Sequence, residues 1–173
     1  MKKILLVFTL MFSMLAFVGM VQAEKLATPM APSKGKVLLT VKGQINRTNG
    51  GDKATFDRER LLNLGVHTLK TSNPFIKGVH TFEGVYLSDV LDAAGANGKT
   101  ITALAIDGYS TDIPVSDAHK YKPLIALKID GKVMRVRTKG PLWIIYPVDQ
   151  IEELRSEKFS TRSIWQLITL TVK

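Results

Sequence analysis

The segment KGPLWIIYP, Lys139 to Pro147, sets five apolar or aromatic residues between two prolines. An uninterrupted apolar run of that length reads as a strand covered on both faces. Proline has no backbone N–H to give to a ladder, so Pro141 and Pro147 mark where pairing stops. Trp143 in the middle leaves two readings open: plain core, or the wall of a pocket.

Outward from this strand, β signals dominate on both sides. LIALKI (Leu124–Ile129) runs into Asp130-Gly131, and ITALAI (Ile101–Ile106) runs into Asp107-Gly108. Asp-Gly between apolar runs is a hairpin signal, because both residues tolerate the positive φ of a tight turn. KVMRVRTK continues from the second turn as a strand, which sets Arg135, Arg137 and Lys139 on one face. Such a row is either a solvated face or an anion-binding ledge, since guanidinium forks match phosphate and carboxylate. Farther upstream, Leu87, Val90, Leu91 and Ala94 keep helical spacing within YLSDVLDAAGANG (Tyr86–Gly98), with Gly95 as the stop.

The stretch Val66–Phe82 reads as irregular to extended, bent at Asn73-Pro74. Thr55-Phe56-Asp57-Arg58-Glu59 opens a helix capped by Thr55, with Leu61, Leu62 and Leu64 on its buried side and Gly65 at its end. VLLTVKGQI (Val37–Ile45) is the first strand. Beyond Pro147, DQIEELRSE (Asp149–Glu157) is a short helix and WQLITLTVK (Trp165–Lys173) a terminal strand. Together these elements predict an α+β domain, a mixed and mainly antiparallel sheet with two or three short helices.

The first residues carry an address. Lys2 and Lys3 precede an apolar run, Ile4–Val18, and Val21-Gln22-Ala23 offers a cleavage site before Glu24. That is the three-part pattern of a secretory signal peptide, and the run falls short of the ~20 residues a spanning helix needs. Residues 1–23 are expected to be removed on export, leaving no transmembrane segment in a periplasmic or secreted protein. Residues 24–36 (EKLATPMAPSKGK) read as a flexible leader, and residues 37–173 as a single domain.

The 173 residues hold 24 Lys and Arg against 15 Asp and Glu, a formal charge of +9, and no cysteine. A basic balance attracts anions such as acidic lipid headgroups or anionic small molecules, while export argues against nucleic acid. Zero cysteine removes disulfides, thiolate nucleophiles, thiolate metal sites and iron–sulfur clusters. His67, His80 and His119 share no HxH or HxxxH spacing. There is no GxSxG elbow and no GxGxxG loop, although a Ser–His–Asp triad assembled in space stays open.

Taken in order, FEGVYLSDVLDAAG (Phe82–Gly95), IDGYSTDIP (Ile106–Pro114), PLIALKIDGKVM (Pro123–Met134), GPLWIIYP (Gly140–Pro147) and Trp165 form a recognisable series. The chain resembles the oxidoreductase molybdopterin-binding domain, the catalytic fold of the sulfite oxidase family, well from Phe82 onward and more loosely before it. The resemblance implies a mixed α+β fold. In active members it also implies a pterin-held molybdenum centre doing two-electron oxygen-atom or related redox chemistry. It further implies a cysteine thiolate on the metal, upstream of the Phe-x-Gly-x-x-Leu segment. That region here reads HTLKTSNPFIKG (His67–Gly78), and a hydroxyl is a poor ligand for so soft a site. Where many members carry an arginine after Gly-Pro-Leu, this chain has Trp143. Loaded members travel folded by the twin-arginine route, whereas Lys2-Lys3 looks like an ordinary signal for unfolded export.

These departures agree, and the expectation is an exported, non-catalytic module without a cofactor, serving a membrane signalling or redox protein. Its expected cleft residues are Asp107, Tyr109, Arg135, Arg137, Gly140 and Trp143. Tyr109 and Trp143 would stack on a ligand, and the two arginines would draw an anionic small molecule. The alternatives are a molybdopterin-dependent oxidoreductase subunit working with a membrane partner, and a basic protein seated on anionic lipid.

Overall fold

Both Asp-Gly turns close hairpins in the computed structural model, which describes residues 28–173. The signal-peptide reading of residues 1–23 lies outside the described residues. In chain order the elements are β1 (Thr28–Pro29), β2 (Val37–Gly43), β3 (Arg47–Thr48), β4 (Lys53–Asp57), α1 (Arg58–Leu62), β5 (His67–Asn73), β6 (Ile76–Tyr86), α2 (Leu87–Ala94) and β7 (Thr100–Ala105). They continue with β8 (Ser110–Pro114), α3 (Val115–Lys120), β9 (Leu124–Ile129), β10 (Lys132–Val133), β11 (Trp143–Ile145), α4 (Glu157–Arg162) and β12 (Leu167–Val172).

One five-stranded sheet runs β4-β2-β12-β7-β8, and a second runs β10-β9-β6-β5 with β11 also on β9. Pairing is antiparallel except for β12 with β2 and the small β1–β3 pair. The terminal strand is therefore central to its sheet, hydrogen-bonded on both edges. The expected mixed, mainly antiparallel α+β fold is present. Among the described residues the α-helices number four rather than two or three. The expected helix Asp149–Glu157 is only a 3-10 turn over Glu152–Arg155, and α3 and α4, each six residues long, are too short for an apolar period to register.

The second sheet explains KGPLWIIYP. Leu142, Ile144 and Tyr146 join the main core with Leu39, Phe56 and Leu170. Trp143 and Ile145 point the other way, into a satellite core with Leu69, Phe82, Leu124 and Ala126. The two-residue period of a strand thus feeds two cores at once, which is why no polar residue interrupts it. At the end of α2, Gly95 adopts φ +63, and its N–H bonds back to Asp92 and Leu91, as a left-handed helix stop requires.

Several local expectations are corrected. Asp57, not Thr55, caps α1: Thr55 stays in β4, while an Asp57 carboxylate oxygen accepts from Arg60 N at 2.9 Å. Val66–Phe82 is largely an antiparallel hairpin of β5 with β6, turning at Pro74–Phe75 with one register shift between Ser72 and Asn73. MRVRTK is not a strand. β10 ends at Val133 because β11 takes the same edge of β9 over Leu124–Ala126, and Met134 turns inward to become 6% exposed. The leader is held from Thr28 onward: Lys34 N and Gly35 N both donate to Asp57 Oδ2, at 2.9 and 2.8 Å, and Ser33 Oγ donates to Thr55 O. No helix among the described residues is long and apolar enough to cross a membrane.

Candidate functional site

Three connections converge at one end of the sheets. The β5–β6 turn brings Phe75, the β7–β8 turn brings Asp107 and Tyr109, and the segment from α4 to β12 brings Ser160, Thr161, Ser163, Ile164 and Trp165. With Ala105 buried among them, they enclose a cleft of about 320 Å³.

Each wall is fixed locally. Asn73 Oδ1 accepts from Phe75 N at 3.0 Å, an Asx turn that orients the phenyl ring, and the ring meets Trp165 edge-on at 4.7 Å. On the opposite turn, Asp107 Oδ1 accepts from Tyr109 N at 3.0 Å, and Tyr109 Oη donates to Thr161 O at 3.3 Å. Gly108 at φ +90 makes that tight reversal possible. The α4 wall is anchored in the interior, where Arg162 Nη1 and Tyr146 Oη both donate to Asp117 Oδ2, at 2.7 and 3.1 Å. Burial, then the adjacent Asp117 charge and hydrogen bond, hold the Tyr146 phenol far above the usual tyrosine range.

Most polar groups of the cleft are acceptors. Thr161 and Ser163 donate their hydroxyl protons to Lys158 O and Phe159 O, within the preceding helical turn, and can still offer lone pairs. The Ser160 hydroxyl lies 3.5 Å from Ser156 O, too far to hold its proton there. Asp107 adds a carboxylate, whose Oδ2 takes no protein hydrogen bond among the described residues. The indole N–H of half-buried Trp165 is a donor without a protein acceptor among them. Lys139 stands behind this wall with its Nζ 4.0 Å from the Trp165 ring, 5.3 Å from Trp143 and 5.9 Å from Phe75. Burial holds its amine below the usual lysine range.

Of the residues expected from sequence, Asp107 and Tyr109 line the cleft. Arg135 and Arg137 do not; both are exposed in the turn after β10, and neither is salt-bridged among the described residues. Gly140 is buried under that turn, where a Cβ would lie 2.5 Å from Met134 O. Trp143 is 1% exposed, and its Nε1 donates to Ser163 O at 3.0 Å. It is core, with one edge on a separate hollow of about 260 Å³ beside Met134 and Lys139. Phe75 and Trp165, not Trp143, present aromatic surface to the cleft. The signal for Phe75 was its place just after a forced bend at Asn73-Pro74. Trp165 stood immediately before the last strand, where a core residue and a cleft residue look the same in sequence.

The family model for the oxidoreductase molybdopterin binding domain matches residues 53–151, a span that begins well before Phe82. The solved sulfane dehydrogenase SoxCD from Paracoccus pantotrophus has a similar fold, with a TM-score of 0.59 over 83% of this chain, at 17% sequence identity. The chain spans 39% of the length of that structure's chain. No curated protein matches the sequence.

The lining of this cleft does not fit a molybdenum–pterin group. Such a group needs a soft ligand for the metal and cations for its phosphate. The cleft lining includes no cation and no sulfur, and its charged member is a carboxylate. In the stretch where a metal thiolate is expected, Ser72 is spent on Asp149, donating from both N and Oγ at 2.6 and 2.7 Å. Thr71 Oγ1 accepts from Asp149 N. Those hydroxyls tie the hairpin to the chain after Pro147 instead of facing a ligand.

Proposed function

Because the chain belongs to the oxidoreductase molybdopterin-binding domain family, we propose that it uses the family's fold as a binding module and works without the family's metal chemistry. The observation that carries this reading is the cleft itself. It sits among the family's landmark segments, is walled by Phe75, Tyr109 and Trp165, and lacks both a soft metal ligand and a phosphate-binding cation. About 320 Å³ lies at the small end of ligand pockets, which run from about 300 to 1,000 Å³, so the occupant is a small flat molecule.

The signal-like N-terminus supports a place outside the cytoplasm, with the mature chain starting at Glu24. There the module would report ligand binding to a membrane signalling or redox protein. A second reading, an oxidoreductase subunit that borrows its metal ligand from a partner, is favoured by family membership alone.

A thermal-shift screen of small aromatic compounds tests the first reading. Thr161 is exposed at the cleft mouth, so Thr161→Trp fills the space without disturbing the core. Some compounds should raise the melting temperature of the wild type and leave the filled variant unmoved. A screen in which no compound distinguishes the two proteins removes the binding-module reading.

A further inference from the structure

We propose that the cleft between Phe75, Asp107, Tyr109 and Trp165 takes a small protonated aromatic amine. This rests on the binding-module reading and reverses the charge of ligand that the basic composition suggests. Three observations converge on it.

The first is hydrogen-bond polarity. The hydroxyls of Thr161 and Ser163 have committed their protons to main-chain carbonyls, at 2.8 and 2.9 Å. Tyr109 likewise donates to Thr161 O. A ligand entering this space meets mainly acceptors, with the Trp165 N–H and the Ser160 hydroxyl as donors, and an ammonium group arrives as a pure donor. An anion meets lone pairs and a carboxylate.

The second is charge. Asp107 is the ionisable residue of the lining, and its Oδ2 is free of protein hydrogen bonds among the described residues. Of the cations nearby, Arg162 is paired with buried Asp117, Lys158 lies over Phe159 at 5.2 Å, and Lys139 stands behind the wall over the Trp165 ring. None of the three lines the cleft. A charge-assisted bond to a carboxylate is among the stronger single contacts a small ligand can make.

The third is the aromatic surface. Phe75 and Tyr109 remain 38% and 49% exposed, so both rings keep surface that a ligand can cover. Phe75 and Trp165 meet edge-on, leaving ring face for a flat ligand.

The test is a charge series of one shape, read by tryptophan fluorescence or calorimetry on the mature chain: phenethylamine, 2-phenylethanol and phenylacetate. The amine should bind about tenfold tighter than the alcohol, and phenylacetate more weakly than either. Asp107→Asn, checked for native circular dichroism, should bring amine and alcohol within about twofold of each other. The three-ligand comparison on the wild type stands whether or not the variant folds.

If the alcohol or phenylacetate binds as tightly as the amine, the amine assignment is overturned while the binding module stands. If none of the three binds, the amine assignment also falls, and the Thr161→Trp screen decides the module separately.

Discussion

Trp143 gives its indole N–H to the carbonyl of Ser163 across 3.0 Å of buried interior. The bond ties the strand Trp143–Ile145 to the segment that walls the cleft, and it removes the polar cost of burying the ring. Trp143→Phe strands that carbonyl and leaves a gap beside Phe82 and Trp165, which contact the indole at 5.8 and 6.4 Å. Urea unfolding should show a loss of about 1–3 kcal/mol. Ligand affinity should barely change. A variant of full stability with lost ligand binding would return Trp143 to the pocket wall.

The Arg162–Asp117–Tyr146 group anchors α4 from within, and the first two side chains are 13% and 8% exposed. Asp117→Ala leaves a buried guanidinium without its counter-charge and should cost about 3–5 kcal/mol by denaturant titration. A loss below about 1 kcal/mol would mean that the arginine swings out to water, and the α4 wall is then not pinned.

The charged His80 ring donates from Nδ1 to Asp130 Oδ2 over 2.7 Å and from Nε2 to Lys77 O over 2.9 Å. The Asp130 hydrogen bond, then the Lys77 carbonyl, raise the His80 pKa above its ordinary 6.5. Its stabilisation is fully present below 6.5 and disappears as pH rises through the raised value. Asp130 is lowered below its ordinary 3.8, chiefly by the His80 hydrogen bond, so its share is lost as pH falls through that lowered value. The melting-temperature gap between wild type and His80→Gln should therefore shrink as pH is raised above 6.5. A gap that widens on that side has the wrong sign.

Asp57 serves two segments at once, capping α1 through Arg60 N and holding the leader through Lys34 N and Gly35 N. Asp57→Ala should expose Lys34 and Lys36 to trypsin and speed amide exchange at Lys34 and Gly35, with the central sheet unaffected. Unchanged cleavage would show that the Ser33 hydrogen bond to Thr55 O and that of the Arg60 guanidinium to Ala31 O suffice to hold the leader.

What the sequence shows most clearly is local. Asp130-Gly131 adopts positive φ at both residues, and Leu87, Val90, Leu91 and Ala94 all face the core ahead of a left-handed Gly95. Competition between distant segments is not visible that way. Nothing within MRVRTK says that β11 will occupy the edge of β9 it would need. The same blindness affects the site. Asp107 and Tyr109 are marked by their own turn, but the cations paired with them in the expectation belonged to a strand that does not form. Trp165 becomes a cleft residue only because β12 inserts at the centre of its sheet.

The proposal that this domain works without a molybdenum–pterin group is tested most directly by molybdenum content. The protein would be purified in its native form from molybdate-grown cells and measured by elemental mass spectrometry alongside pterin fluorescence. Background molybdenum and no pterin are the predicted result. Molybdenum in stoichiometric amount, with matching pterin, would contradict it.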